Sequence, residues 1–202
     1  MRPFGFFSTL APAGVSINAT YQIDFGDDLG GRISPAPWNN YDDGSVGFIA
    51  GTSLSNLTDT DSNVSGIEVA ITQSFTAVNG AGAADDPANN PYPHSATRDG
   101  FEVDNGQTAT IEFRNLDPTK QYIVRVFGAR AFIGGTTDYQ VIGGTTETIS
   151  QDNRNNGNGQ AYITTETSPL SPDGSNIITM NVDGTASDRG YLNVVELIEI
   201  NP

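Results

Sequence analysis

The amino-acid sequence predicts an all-β chain that folds as a single β-sandwich of two antiparallel sheets. Short runs rich in Thr, Val, Ile, Tyr and Phe recur along the 202 residues, and 23 glycines and 11 prolines are spread along the chain. Helix-favouring blocks of Ala, Leu, Glu and Lys are missing. Because β-branched and aromatic residues favour strands and Gly and Pro favour turns, this composition indicates an all-β domain. A chain of this length can bury one large core.

Two adjacent runs predict the central strands. Residues 109–113 alternate between apolar and polar side chains, and residues 122–127 are apolar on nearly both faces. The second pattern is typical of a strand inside a sandwich rather than at its rim. Between them, 117–120 reads Asp-Pro-Thr-Lys, a turn sequence because Pro fixes φ and Asp bonds the backbone beyond it. Leu116, just before this turn, is expected to close one end of the core.

Shorter alternating runs predict the remaining strands. The first is expected at 21–25, and the mostly apolar run 191–200 should be a central strand that pairs with it, as in a jelly roll. The longest irregular stretch, 79–99, has the length of a functional or mobile loop, and 151–160 predicts a polar loop. Further strands are predicted at 46–50, 53–57, 67–72, 137–142, 147–149, 161–164 and 177–182.

Charge and composition exclude several classes of function. The formal net charge is −15, with a single lysine, Lys120. Nucleic-acid binding needs clustered basic residues, so it is not expected. The absence of Cys removes disulfides, thiolate catalysis and cysteine-based zinc sites. No apolar run reaches the length that spans a bilayer, so membrane insertion is not expected either.

The N-terminal segment 1–14 differs from the rest of the chain, 15–202, which we assign to the sandwich domain. It carries Phe4, Phe6, Phe7 and Leu10 between breakers such as Pro3 and Pro12. The breakers interrupt the apolar run that a signal peptide requires, so no signal peptide is expected. Because three exposed phenylalanines are unfavourable, we expect an irregular docking arm that folds back on the domain or binds a partner.

Seven short motifs occur in a fixed order along the chain: IDFG, PWNN, YPHSATRDGF, LDPTKQY, FGAR, TTDYQV and GYLNVVEL. Together they resemble galactose-binding-like domains, the jelly-roll β-sandwiches of the carbohydrate-binding-module type. Such domains occur beside carbohydrate-active enzymes, on bacterial surface proteins and on phage particles. The resemblance covers most of the chain after Ile17 and implies a jelly-roll fold and a binding role. It does not transfer individual binding residues.

The loop around Trp38 is the first candidate binding site. The flat face of an aromatic ring stacks on the C–H groups of a sugar, whose hydroxyl groups need polar neighbours. Tyr41 supplies a second ring, and Asn39 is among the polar residues beside it. The alternative is that Trp38 only caps the core beneath a loop.

A second candidate site lies in the long irregular stretch, at Tyr92, His94, Arg98 and Asp99. Arg98 could bind a carboxylate or a pair of sugar hydroxyls through its forked guanidinium group. The alternative is that Arg98 and Asp99 pin the loop to the sheet. Arg130 follows a predicted strand end and is expected either to point into the same opening or to pair with a structural aspartate.

Metal binding and catalysis find weaker support in the sequence. Residues 59–63 read Asp-Thr-Asp-Ser-Asn, which resembles the start of a calcium loop, but the later ligands of an EF-hand are missing. A structural calcium ion therefore remains an alternative without assignable ligands, and no cofactor is expected.

Glycosidase chemistry needs two carboxyl groups in a cleft. With 24 acidic residues in the chain, two of them lying close together would not indicate such a site. Glu196 is expected to face solvent or to pair with an arginine. We predict a protein that is not an enzyme.

Two functions follow from these observations. The first is a structural or adhesive protein displayed on a larger assembly, such as a phage virion decoration or a tail or fibre component, which contacts other subunits and host glycans. The second is a carbohydrate-binding module of a secreted polysaccharide-degrading system. Both imply a location on a virion surface or outside the cell.

Overall fold

The computed structural model describes residues 16–27, 32–42, 44, 46–83, 92–131, 135–154, 156, 162–185 and 188–202. The predicted docking arm, 1–14, lies outside them. Fourteen strands and one short helix form within the described residues. They are β1 Ser16–Gly26, β2 Asn39–Asp42, β3 Ser53–Ser55, β4 Glu68–Gln73, β5 Ala77–Asn79, α1 His94–Thr97, β6 Gly100–Val103, β7 Thr108–Arg114, β8 Gln121–Phe127, β9 Thr136–Ile142, β10 Thr146–Asp152, β11 Thr165–Glu166, β12 Ile178–Gly184, β13 Gly190–Leu192 and β14 Val194–Asn201.

Two large sheets form the sandwich and confirm the predicted fold class. The five-stranded sheet has the order β11-β8-β14-β1-β2, and the six-stranded sheet has the order β10-β9-β12-β7-β4-β3. Strand β14 pairs antiparallel with β1 and with β8, which confirms that the last strand is central and bonded to the first. Two details differ from the prediction: β1 and β2 run parallel, and a third sheet, β13-β6-β5, lies beside the other two.

One core lies between the two large sheets. Its members come from both of them, among them Ile23, Phe113, Val124 and Leu197, all fully buried. Leu116 is buried as predicted, because its backbone N–H donates to the Asn176 carbonyl and holds the side chain against the core. The buried apolar area of these strands supplies most of the stability of the domain.

Two predicted strands are wrong. Residues 46–50 form turns, since Gly47 adopts a φ of +88° and the N–H groups of Val46 and Gly47 both donate to the Asp42 carbonyl. Residues 162–164 are not in a strand, which forms instead at β11; residue 161 is not described. The predicted strand 53–57 ends early, because Asn56 lies in the left-handed region with a φ of 60°.

The outer face of the five-stranded sheet, opposite the main core, carries rows of side chains fixed by the strand register. In one row, Gln22, Glu196, Arg125 and Glu166 lie side by side on β1, β14, β8 and β11. We call it the paired row, because Arg125 contacts Glu196 at 2.8 Å and Glu166 at 2.7 Å, and Gln22 donates to Glu196 at 2.9 Å. These contacts confirm the expected pairing of Glu196 with an arginine.

The neighbouring row on this face contains Asn40, Asp24, Val194 and Phe127 on β2, β1, β14 and β8. We call it the unpaired row, because Asp24 forms no ion pair with any described residue and neither of its carboxylate oxygens makes a hydrogen bond of good geometry. Phe127 is buried on this outer face while Val124 is buried in the main core, so β8 is apolar on both sides, as the sequence predicts. Among the described residues, no helix is long and apolar enough to cross a membrane.

Candidate functional site

Several loops meet at one end of the sandwich, which we call the loop end. Asn193 organises it and interrupts the predicted strand 191–200 between β13 and β14. Its side-chain oxygen accepts the Ala129 N–H at 2.7 Å, and its amide donates to the carbonyls of Thr97 and Asp99. Its backbone carbonyl accepts the Phe25 N–H at 2.8 Å. Asn193 is fully buried, so its side-chain amide joins the end of α1 to the segment after β8, and its backbone carbonyl bonds β1.

Backbone hydrogen bonds bring the remaining loops to the same end. Gly82 donates to the Arg98 carbonyl at 2.7 Å, Ala131 donates to the Ala81 carbonyl at 2.9 Å, and Arg130 donates to the Asn153 carbonyl at 3.0 Å. The stretch around residues 79–83 is therefore tied both to the end of α1 and to the segment after β8. Parts of both candidate sites from the sequence converge here.

Four aromatic rings run across the outer face at the loop end, and we call them the aromatic ladder. Trp38 meets Tyr92 edge to face, with ring centroids 5.8 Å apart, and Tyr92 meets Phe127 edge to face at 5.8 Å. Phe127 stacks on Tyr162 at 5.6 Å. Tyr92 and Phe127 are buried, whereas Trp38 and Tyr162 are half-buried. Edge-to-face and stacked rings hold one another in fixed orientations, so the ladder presents its two outer rings on a rigid base.

Asn39 and Tyr41 face inward, away from the ladder. Because β2 pairs parallel with β1, Tyr41 lies opposite Phe25 and stacks on it with centroids 5.5 Å apart. Tyr41 is fully buried, and its hydroxyl bonds the Thr52 hydroxyl at 2.8 Å. Asn39 donates to the Thr58 carbonyl at 2.8 Å and accepts the Thr58 N–H at 2.7 Å. Both side chains support the sheet edge, and of the first candidate site only Trp38 belongs to the loop end.

The residues of the second candidate site lie on or beside α1. His94 and Arg98 are half-buried, and the Arg98 N–H donates to the His94 carbonyl at 3.0 Å. Asp99 is fully buried, and its Oδ2 accepts the Asp27 N–H at 2.6 Å. Asp99 thus fastens the segment after β1 to the segment after α1.

Arg130 is held by two neighbours at the loop end. Its guanidinium donates to the Asn79 side-chain oxygen and lies 5.9 Å from the centre of the Tyr191 ring. Its side-chain partner is an asparagine and not an aspartate. The cation–π contact and the hydrogen bond together fix the guanidinium plane.

A narrow acidic crevice opens beside the ladder. Its empty space is about 140 Å³, part of which is open solvent. Ligand pockets usually enclose roughly 300–1,000 Å³, so this crevice is too small for a sugar ring. An ion pair between Arg32 and Asp27 lies at its mouth. The residues that line it include Asp24, Gly26, Asp27, Arg32, Asn40 and Asp42.

Two carboxyl groups of this region have strongly raised pKa values. Burial raises the pKa of Asp24 to about 8, and the negative charges of Asp99 and Asp42 add to the effect; Ser34 nearby favours the ionised form but does not outweigh burial. Burial likewise raises the pKa of Asp99 to about 7. The hydrogen bond from the Asp27 backbone N–H lowers this pKa, and the negative charge of the Asp27 side chain raises it. Asp24 is 3% exposed and Asp99 0%. Sequence reasoning missed Asp24, because an acid at an outward position of an alternating strand normally indicates solvent exposure.

Within the described residues, no group of three or more His, Cys, Asp or Glu side chains could hold a metal ion. The calcium-like run 59–63 uses its first carboxylate differently. Asp59 Oδ1 accepts the N–H groups of Asp61 at 2.9 Å and Asn63 at 2.8 Å, and its Oδ2 accepts the Asn63 amide at 3.0 Å. These bonds close a tight turn of the Asx type.

A network of buried carboxamides was also missed by the sequence analysis. Gln151, Asn153 and Asn156 lie in the predicted polar loop, yet all three are buried. Gln151 accepts the Gly128 N–H at 3.0 Å, and Asn156 donates to the Gly128 carbonyl at 3.0 Å. Amides bury without cost when they satisfy backbone groups of a neighbouring segment, so a polar composition did not mean exposure here. The signal was the clustering of carboxamides rather than charges.

Comparisons with known proteins support the fold. No family model matches the chain, and no curated protein matches its sequence. A chain in the crystal structure of the plant peptide RALF23 in complex with FER and LLG2 is 13% identical, with a TM-score of 0.54. The match covers 94% of this chain and 51% of that one, so the chain spans about half the length of that relative. At this identity the likeness establishes the sandwich fold alone.

Two further matches have lower scores. The module TmCBM61, solved with β-1,4-galactotriose, is 15% identical over 65% of this chain and 88% of its own, with a TM-score of 0.33. Tailspike protein 4 of bacteriophage CBA120 is 12% identical over 64% of this chain and 19% of its own, with a TM-score of 0.31. Neither score is high enough to carry an argument about function.

Proposed function

We propose that the chain is a non-catalytic adhesive domain displayed on a larger assembly, where the loop end contacts glycans. The observation that supports the proposal is the aromatic ladder, in which Trp38 is half-buried and held edge-on by buried Tyr92. A rigid, partly exposed indole with hydroxyl, amide and charged groups nearby has the chemistry that a sugar face requires. Arg32, before Trp38, and Asn40, after it on β2, are partly exposed and supply a charged group and an amide close to it along the chain.

The acidic crevice lacks the dimensions of a glycosidase site. Glycoside hydrolysis needs two carboxyl groups on either side of a bound glycosidic bond, roughly 5–9.5 Å apart. Asp24 and Asp99 have raised pKa values, but the crevice beside Asp24 is too small to admit a sugar between two acids. Asp24 and Asp99 are therefore not expected to act on a bound sugar.

Glycan binding is tested by an array and by titration calorimetry on the full chain. Trp38→Ala should abolish binding. The melting temperature should fall by no more than about 4 °C, which corresponds to about 1 kcal/mol in a domain of this size. Phe48→Ala is the matched control, since Phe48 is another half-buried ring but packs on the main core; it should retain binding. If Trp38→Ala binds glycans as the wild type does, or if no glycan on the array binds, the proposal fails.

We further propose that residues 1–14 are the docking arm through which the domain joins its assembly, such as a phage virion. Phe4, Phe6, Phe7 and Leu10 would bury against another subunit, each gaining roughly 1.5–3 kcal/mol. Deletion of residues 1–14 should leave a folded monomer with an unchanged circular dichroism spectrum and should abolish assembly. An unfolded product would show that the segment belongs to the core of the domain.

The competing role is a carbohydrate-binding module of a secreted polysaccharide-degrading system. The ladder supports this role equally, because both roles need a sugar platform. They differ in the arm, which a secreted module does not require. Co-purification of the full chain with a virion or another particle favours the displayed protein. Tight, specific binding to one polysaccharide with no effect of the arm deletion favours the module.

A further inference from the structure

The acidic crevice contains buried carboxyl groups for which the proposed binding role has no use. Asp24 lies at the outer face of β1, with both oxygens shielded from solvent; neither makes a hydrogen bond of good geometry, and Ser34 is the one group that favours its charged form. Asp99 Oδ1 is also buried and unpartnered. A buried carboxylate without partners is far more costly than a buried carboxylic acid, so this geometry favours a protonated state.

Residues 32–38, which we call the cover loop, border the crevice through Arg32 and Ile33. Ser34 donates its N–H to the Asn40 side chain at 2.7 Å, and Asn40 donates back to the Ser34 carbonyl at 3.0 Å. The Ser34 hydroxyl bonds the Ser95 hydroxyl at 2.8 Å, which joins the cover loop to α1. Trp38 ends the cover loop and is the single tryptophan of the chain. The position of Trp38 therefore depends on how this loop is held.

Asp99 approaches the crevice from the other side. It packs so closely on β1 that a Cβ atom at Gly26 would lie 2.7 Å from the Asp99 Cγ. Its Oδ2 accepts the Asp27 N–H at 2.6 Å, next to the Arg32–Asp27 ion pair. If Asp24 and Asp99 were both ionised, two negative charges would lie close together. Arg32, the nearby cation, is already paired with Asp27.

The charged and titratable groups that face this pair come from every element packed against it. Strand β2 contributes an acid, the segment after β1 contributes another, the cover loop contributes an arginine, and α1 with the residues after it contributes the rest. They are Asp42, Asp27, Arg32 and Arg98; His94 lies at the start of α1, four residues before Arg98.

We propose that Asp24 and Asp99 form a proton-operated latch, which keeps the cover loop and Trp38 closed while the pair holds a proton and releases them when that proton passes to solvent. The negative charge of Asp99 raises the pKa of Asp24, so ionisation of Asp99 disfavours ionisation of Asp24. Their raised pKa values, about 8 and about 7, place the transition just above neutral pH. The latch itself does not depend on a ligand; its consequence, loss of glycan binding at alkaline pH, rests on the proposed function.

A bound cation is the alternative way to neutralise the crevice. Within the described residues no group of three suitable side chains meets at one point, which favours the proton. The two explanations give different results when a chelator or calcium is added, because only a cation site responds to either.

The test uses the fluorescence of Trp38 in the full chain, without ligand, from pH 5 to 9.5. Emission and quenching by acrylamide should change with a midpoint between about 7 and 8. Tyr92 does not interfere, since burial holds its pKa well above its usual range. Asp24→Asn, a neutral group of the same shape, should remain closed at every pH. Glu196→Gln, the matched control in the paired row, should keep the wild-type midpoint.

Each other outcome identifies a different cause. A midpoint that is lost in His94→Gln but kept in Asp24→Asn assigns the titration to the imidazole and overturns the latch. A transition that EDTA reproduces at pH 6, or that calcium suppresses, assigns the crevice to a cation. If Asp24→Asn does not fold, carbon-13 NMR of the aspartate carboxyl groups in the wild type decides: two resonances should titrate near pH 7–8, and their absence overturns the proposal. Failure of glycan binding at every pH, with the fluorescence transition intact, would reject only the proposed function.

Discussion

The paired row and the unpaired row cross the same face of the same sheet, and each contains one buried acid, but the two acids have different surroundings. In the paired row, buried Glu196 has two partners, Arg125 and Gln22. In the unpaired row, equally buried Asp24 has an apolar neighbour, Val194, and among its neighbours only Ser34 favours its charged form. The strand register places the two acids only two residues apart along β1 and β14. A nearby arginine favours the ionised form of a buried acid, whereas burial without an arginine favours the protonated form, so the second kind of acid is expected to change its charge near neutral pH.

The largest effect expected from this comparison is the loss of Arg125. Arg125→Ala leaves Glu196 buried without its cation, and breaking a buried pair of this kind costs about 3–5 kcal/mol. Denaturant titration at pH 7 measures the loss. Arg114→Ala is the control, because Arg114 also bonds two glutamates but its side chain is 36% exposed; it should cost less than about 1 kcal/mol. Equal losses in the two variants would show that burial does not distinguish the pairs.

The unpaired row predicts an unusual dependence of stability on pH. The folded pKa of Asp24, about 8, is raised above its unfolded value, so the folded state binds a proton that the unfolded state has released. The stabilisation is complete below the unfolded pKa and is lost as the pH rises through the folded pKa. Between pH 5 and 7.5, the proton on Asp24 alone should make stability fall by about 1.4 kcal/mol per pH unit, and Asp99, with a folded pKa of about 7, should steepen the fall below that pH. Chemical denaturation across this range measures the slope, and a rising slope would contradict the assignment.

Neutralising Asp24 should stabilise the chain at pH 7. Asp24→Asn removes the cost of taking up a proton on folding, while its amide still lacks partners in the crevice. We expect a net gain of about 1–3 kcal/mol and a flatter pH profile than that of the wild type. Glu196→Gln, the corresponding change in the paired row, should destabilise instead, because Arg125 then loses its buried carboxylate. If Asp24→Asn raises the free energy of unfolding and Glu196→Gln lowers it, the two buried acids differ as described. Changes of the same sign would contradict that difference.

The sequence predicted the sheet framework better than the loop end, for a physical reason. Alternation over 122–127 specifies which side chains face the core, because the period of a strand is two. It cannot reveal that β2 pairs parallel with β1, and that pairing is what turns Tyr41 into the core. Nor can it reveal the role of Asn193, since the hydrogen bonds of that amide join segments almost one hundred residues apart. Trp38 and Tyr92 could be proposed as candidates because aromatic residues in irregular segments give a local signal, whereas the state of Asp24 depends entirely on what packs over it.

The smallest effect is expected at the exposed end of the paired row. Glu166 contacts Arg125 at 2.7 Å, but its side chain is 41% exposed on the two-residue edge strand β11. Water already solvates this carboxylate, and Arg125 keeps its buried partner when Glu166 is removed. Glu166→Gln should therefore cost less than about 1 kcal/mol, and the loss should shrink further in 0.5 M salt, which screens exposed charges. Denaturant titrations at low and high salt measure both values. A loss close to that of Arg125→Ala, unchanged by salt, would mean that Glu166 and not Glu196 is the main partner of the arginine, and that the paired row is stabilised from its edge.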